Sequence, residues 1–260
     1  MRLYILTHGR VDRQTTYNGL PDSWKRNTQF VVQQREAHLH EALGRDILTL
    51  PPHITNLHQT RQWLLDNVHT GKVVEMDDDI VFSARRDDEP TKFRPMHASD
   101  FDYMFKELEG RLKEGYPMVG IVAREGANRN TQPYLYATRQ MRLHAFNADL
   151  IKGANLRWDL LRSPGPEDFC MLLQLLTRGH ENCVVNSYCQ NQGGSNTSGG
   201  VSEYRTLDVH ADACEHLASL FPSFVTVVEK KTKGSWGGGT RKDVVIQWKK
   251  ALAWGRSNEQ

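Results

Sequence analysis

The segment Lys72–Asp79 restricts this chain more than any other. An apolar run, Val73-Val74-Glu75-Met76, leads directly into three successive aspartates, Asp77-Asp78-Asp79, and Ile80-Val81-Phe82 follows. Adjacent carboxylates repel and raise one another's pKa. A bound cation removes that cost, and hard oxygen ligands suit Mg2+ or Mn2+, which complete their shells with water and substrate phosphates. A solvated acidic turn is the plainer reading; the position straight after a strand favours a ligand site. In an extended stretch alternate side chains share a face. Asp77 and Asp79 are therefore expected at the metal and diphosphate, and Asp78 towards the sugar or ribose.

Around that segment, strands and helices alternate. Arg2–Leu6, Thr28–Gln33, Asp46–Leu50 and Lys72–Met76 read as strands, and Glu36–Leu43 and Asn56–Val68 as helices. The pattern predicts an α/β fold with an open, mostly parallel sheet flanked by helices. Ligands bind outside the carboxyl ends of such strands. The triplet falls there, and so does the turn Thr7-His8-Gly9-Arg10 after the first strand. A hydroxyl, a glycine and basic groups suit nucleotide contacts, which makes Thr7, His8, Gly9 and Arg10 candidate donor-binding residues. Arg61, on the helix feeding the triplet strand, is a candidate phosphate contact.

Further along, Ser99–Glu114 reads as a helix capped by Ser99 or Asp100, and Met118–Val122 as a strand. Gln140–Phe146 and Ala148–Ile151 read as strands around a turn, with Gly153 beyond them as a candidate lining of the sugar or acceptor pocket. Pro166–Leu176 and Asp208–Leu220 read as helices, and Cys183–Ser187 as a short strand. Glu167 and Asp168 open the first of those helices, where carboxylates satisfy free amides and the helix dipole. The functional alternative makes one of them a general base for an acceptor hydroxyl. His210 is the candidate late metal ligand.

Length suits one α/β domain over 1–205, with a helical and basic C-terminal extension over 206–260 packed on it. No apolar run approaches the roughly 20 residues that span a bilayer, and the first is too short for a signal peptide. A cytoplasmic protein with no membrane role is expected. The four cysteines lack the paired spacing of a zinc site and read as free thiols. Net charge is only +2, but its distribution is uneven: Glu229–Arg256 holds eight basic residues against two acidic ones. Lys230, Lys231, Lys233, Trp236, Arg241 and Lys242 are therefore candidate nucleic-acid contacts, with lysines on phosphates and a tryptophan beside a base. From charge alone, a solvated surface is the plainer reading.

With these elements placed, the chain resembles a glycosyltransferase of GT-A type. The wording Arg2-Leu3-Tyr4-Ile5-Leu6-Thr7-His8-Gly9-Arg10-Val11, with Glu75–Ile80 and Gln192-Gly193-Gly194-Ser195, resembles more narrowly the TET-associated glycosyltransferases of bacteriophages, over most of the chain to about residue 205. The resemblance implies a UDP-sugar donor, Mn2+ or Mg2+, and duplex DNA containing 5-hydroxymethylcytosine as acceptor, in a host cell's cytoplasm and with no obligate protein partner. It carries the metal role to Asp77 and Asp79 and the base role to Asp168, with Glu167 beside it, in an inverting displacement. One departure stands out: no histidine closely follows Cys183–Ser187, which leaves His210 as the late ligand. Rival readings are a protein, glycan or small-molecule acceptor, a non-catalytic DNA-binding protein, and two-metal phosphoryl transfer.

Overall fold

Short apolar runs between amphipathic stretches dictate strands covered by helices. The computed structural model describes residues 1–192, 199–232, 236 and 238–258. In chain order its elements are β1 (Arg2–Leu6), α1 (Thr15–Gly19), α2 (Asp22–Lys25), β2 (Thr28–Val32), α3 (Ala37–Ala42), β3 (Ile47–Thr49), α4 (Leu57–Asn67), β4 (Lys72–Asp77), β5 (Val81–Arg85) and β6 (Phe93–Pro95). There follow α5 (Ala98–Lys113), β7 (Met118–Ala123), β8 (Tyr134–Tyr136), β9 (Leu143–Asn147), α6 (Ala148–Gly153), α7 (Glu167–Leu176), β10 (Cys183–Asn191), α8 (Leu207–Leu220), β11 (Val225–Lys231), β12 (Thr240–Ile246) and α9 (Trp248–Asn258).

The central sheet runs β3-β2-β1-β4-β9-β7-β10-β5-β6, with β8 also on β10. The run β3-β2-β1-β4 is parallel, as is β7-β10, while β9 lies antiparallel between β4 and β7. The sheet is buried on both faces, which is why its parallel strands read as nearly continuous apolar runs. Ile5, Phe30 and Met76 pack on one side with Phe105 and Leu108 of α5. Tyr4, Val31 and Val73 pack on the other with Leu64 and Leu65 of α4, Ile151 of α6 and Met171 of α7. Leu6 pairs with Asp77 in the β1–β4 register, so the chain leaves both strands at the same edge.

Two helices position the site. The Asn56 side chain accepts the Gln59 N–H at 3.0 Å and caps α4, a contribution of about 1 kcal/mol. Arg61, Leu64 and Leu65 then share its buried face at helical spacing. In α7, Cys170 to Leu176 are all buried.

Some sequence expectations shift. Ala148–Ile151 is not a strand. Asn147 caps a helix there by accepting the Asp149 N–H, and Ala148 and Ile151 are the buried i, i+3 pair of its inner face. Helix α5 begins at Ala98, one residue before the expected start, and the Asp100 carboxylate closes its first turn on the His97 N–H at 2.7 Å. The C-terminal segment holds an antiparallel hairpin, β11–β12, between its two helices. Its Leu217, Val225, Val244 and Leu252 share one apolar cluster with Leu172, Leu173 and Leu176 of α7. Among the described residues, no helix is long and apolar enough to cross a membrane.

Helix α9 lies so close to the end of α7 that Gly255 has no room for a side chain; a Cβ there would overlap Leu176 O and Gly179 N. Overpacking against backbone costs about 1–3 kcal/mol. Gly255→Ala is expected to lower unfolding stability by that amount in urea denaturation, with a matching fall in the thermal midpoint.

Candidate active site

The acidic triplet is anchored by the turn beside it. Thr7, the first residue past β1, donates its hydroxyl to Asp78 Oδ2 at 2.6 Å and accepts from Gln14 Nε2 at 2.8 Å. Arg10 Nη1 lies 2.7 Å from Asp78 Oδ1 and 2.8 Å from Asp79 Oδ2. Thr16 fixes the triplet's backbone: its hydroxyl donates to Asp77 O and accepts the Ile80 N–H. Strand β4 ends at Asp77, so the expected alternation stops there. Asp78 is buried and held by Thr7 and Arg10, and it lines the cleft with its two neighbours. Asp79 shares Arg10 with it, and Asp77 faces a different partner.

That partner is Arg61. Its side chain is fully buried, 3.1 Å from Glu75 Oε2, 3.3 Å from Asp77 Oδ1, 3.8 Å from Asp168 Oδ1 and 4.0 Å from Glu167 Oε1. Its guanidinium also lies over the Trp158 ring. The expected phosphate contact is therefore corrected: burial among four carboxylates keeps Arg61 from a ligand in the cleft. Its charge joins the triplet to the two acidic residues that open α7.

One guanidinium does not balance four carboxylates, and the protons redistribute accordingly. Burial pushes Asp77 up to about 7; Arg61 opposes this, while Asp79, Asp168 and Asp78 add to it. Burial and the neighbouring Asp168 charge push Glu167 up. Asp168 is held low in spite of burial, by His144, by Arg61 and by the backbone N–H of Arg142. Glu167 thus keeps a proton while Asp168 stays ionised. His144 Nε2 stands 3.1 Å from Asp168 Oδ1 without the alignment of a hydrogen bond. Arg142 holds a left-handed backbone (φ 66°), with its carbonyl on the Asp77 N–H. That is strain of the kind found at functional sites, and it ties Asp77 to Asp168.

These groups face one cleft of about 500 Å3, lined by Thr7, Arg10, Asp77, Asp79, Glu167 and Asp168 among others. A sequence model of the TET-associated glycosyltransferases matches residues 1–200. The chain belongs to that family. This glycosyltransferase has the GT-A fold. It is similar to S. aureus TarS 1–349 in complex with UDP-GlcNAc, with TM-score 0.51 and 10% identity over 84% of this chain, which spans 66% of that fragment. It is also similar to a mycobacterial protein, with TM-score 0.50 and 11% identity over 92% of this chain and 82% of that one. At such identities the likeness is one of fold. No curated protein matches the chain.

Beyond residue 200 the glycosyltransferase closes its cleft with the hairpin. Lys230 and Arg241 line it, and both pair with Asp243, at 3.2 and 3.0 Å. Lys242 turns to Glu215, and neither it nor the exposed Lys231 lines the cleft. Lys233 and most of the Gln192–Ser195 motif lie outside the described residues. Trp236 is buried between Arg205, Arg241 and His210, so its ring is not offered to a base. His210 sits among those cations rather than on the triplet; burial, Arg205 and Arg241 push it down to about 4. Among the described residues no three His, Cys, Asp or Glu side chains gather as a metal-ligand set, so the grouping Asp77, Asp79 and His210 is not assembled. Gly153 ends α6, exposed and away from the cleft, because the segment before it is helical.

The nucleotide-binding expectations for the first turn also change in detail. Gly9, at φ 66°, gives its N–H to both oxygens of Glu36, at 3.0 and 2.9 Å, so that amide is already used. His8 Nε2 pairs with Glu203 Oε2 at 2.8 Å. Gln14, Thr16, Glu36, Arg142, His144 and Arg205 carried no signal in the sequence, since each is set by distant partners.

Removing one partner of a buried ion network leaves the others uncompensated, at about 3–5 kcal/mol. Arg61→Met is expected to lose that much stability in urea. The loss should shrink as pH falls, because protonating the stranded carboxylates relieves it; equilibrium unfolding at pH 5 and pH 8 reads the difference.

Proposed function

We propose that this glycosyltransferase moves a sugar from a UDP-sugar to the hydroxymethyl group of 5-hydroxymethylcytosine in duplex DNA. One observation carries the reading: an ionised Asp168 shares a cleft with Asp77 and Asp79, and Arg61 binds all but Asp79 of these into one unit. The family's association with TET oxygenases supports a hydroxymethylated base as acceptor. Lys230 and Arg241 on the cleft wall suit a DNA backbone. A base whose hydroxyl reaches Asp168 leaves the stack to do so.

Asp168 accepts the proton of the acceptor hydroxyl, whose oxygen attacks the anomeric carbon from the face opposite the departing UDP, inverting it. Glu167, carrying its proton beside Asp168, keeps the two from repelling. Asp77 and Asp79 suit Mn2+ or Mg2+: both line the cleft as hard oxygen donors, burial and then the neighbouring carboxylates push Asp77 up against Arg61, and such ions take few protein ligands alongside phosphates and water. When bound, the ion supplies charge that stabilises the departing diphosphate.

The test is to incubate the protein with UDP-sugars, Mn2+ and hydroxymethylated duplex DNA and to analyse nucleosides by mass spectrometry. A hexose or N-acetylhexosamine mass on the modified cytosine is expected, and Asp168→Asn should lower its rate by about 100-fold or more. No added mass with any common donor would sink the DNA acceptor.

A proton competes with the cation at Asp77. Mn2+ affinity measured by calorimetry is expected to rise about tenfold between pH 6 and pH 8, following the value of about 7. A flat profile would remove Asp77 from the metal site.

A further inference from the structure

Arg205 lies past the region the family model matches, and no role attaches to it so far. It lines the cleft with its guanidinium against the Trp236 ring, 5.1 Å from the centroid, and Arg241 packs on the same ring at 4.7 Å. Among the described residues the Arg205 side chain makes no hydrogen bond and no ion pair, and its Nε is fully shielded from water. The Nε of Arg241 is likewise buried and unpartnered. A desolvated guanidinium without a partner is costly. Stacking occupies the face of a guanidinium and leaves its N–H donors free at the edge, in the geometry that matches phosphate oxygens.

The pair is held rigidly. The Tyr204 hydroxyl accepts the Leu57 N–H at 3.0 Å, which fastens the neighbouring residue to the start of α4. Arg241 is on a paired strand, with Asp243 at 3.0 Å. Near this point Arg241 and Lys230 share one carboxylate, Asp243, and Arg205 adds a third cation to the same wall, so the wall keeps a local excess of positive charge. Asp77 and Asp168 line the same cleft as Arg205, which sets its guanidinium in the space that holds the reacting groups.

We propose that Arg205 and Arg241, braced by Trp236, form a preformed phosphate-binding pair on the C-terminal wall of the cleft. Its ligand is a phosphate or diphosphate group, supplied by the leaving end of the nucleotide-sugar or by the strand that carries the acceptor. Either source rests on the glycosyl-transfer reading; binding of inorganic pyrophosphate does not. The direct probe is therefore isothermal titration with pyrophosphate on the wild type, Arg205→Gln and Arg241→Gln. Parallel arms use UDP and a short single-stranded oligonucleotide.

Each substitution is expected to weaken pyrophosphate binding about tenfold or more, the usual effect of a charge-assisted hydrogen bond. The thermal midpoint of Arg205→Gln should stay level or rise, because an unpaired buried charge is gone; a packing role would lower it. Weaker UDP binding with an unchanged oligonucleotide assigns the pair to the donor, and the converse assigns it to the acceptor strand. Unchanged affinity for all three probes overturns the proposal. If Arg205→Gln does not fold, Arg241→Gln decides by the same measurement. Nucleoside analysis of wild-type reactions reports separately on the DNA acceptor, so pyrophosphate binding lost in the variants would stand even if no DNA were modified.

Discussion

The organisation of the site depends on how a single buried cation, Arg61, is shared. Its guanidinium meets Glu75 in mid-strand, Asp77 at the strand's end, and Glu167 and Asp168 at the start of α7. His69 takes the other oxygen of Glu75 at 2.9 Å, and His144 stands by Asp168. Burying these charges stabilises the fold weakly at best, since desolvation offsets their attraction. What the network supplies is registration. It holds a strand end and a helix start, about ninety residues apart in the chain, in one electrostatic unit, in which burial and the Asp168 charge leave Glu167 protonated while His144 and Arg61 keep Asp168 ionised.

The first turn plays a second, separate part. Arg10 clasps Asp78 and Asp79 and also donates to Gly199 O at 3.1 Å, while Gly200 N–H bonds to His8 O. Arg35 and His8 meet Glu203. The turn therefore joins the triplet to Gly199, Gly200 and Glu203. Gly9 is required there twice over: its left-handed backbone suits glycine, and a Cβ would overlap Glu203 Oε1.

Much of the fold was legible because burial on both sheet faces writes itself into sequence as apolar runs. Arg2–Leu6 and Lys72–Asp77 are of that kind, and they place Thr7 and the triplet at one edge. Helices with clear spacing, such as Leu57–Asn67, were legible for the same reason. Side-chain orientation was not. The alternation that would have separated Asp78 from its neighbours holds only while the chain is extended, and β4 stops at Asp77. Arg61 read as a phosphate contact because nothing local discloses that four carboxylates from two elements, β4 and α7, surround it. The hairpin Val225–Ile246 was missed because its strands are largely exposed and strongly charged, and a pattern of burial cannot reveal a strand that is hardly buried.

The resulting cleft is bipolar, and its chemistry requires that. A nucleotide-sugar brings a diphosphate to a floor already lined by Asp77, Asp79 and Asp168, where like charges repel strongly in a poorly solvated space. Arg61 does not relieve this, being committed to the carboxylates beneath, and Arg10 is engaged with Asp78 and Asp79. Compensation must come from outside that set. On the proposed reading, a divalent ion held by Asp77 and Asp79 would supply one part of it, and the guanidiniums on the Trp236 ring the other. Arg205 differs from such an ion in being part of the fold, held in place before any ligand binds. A preformed cation of this sort costs stability in the empty protein and returns it only when the anion is present, as expected of a group kept for binding rather than for folding.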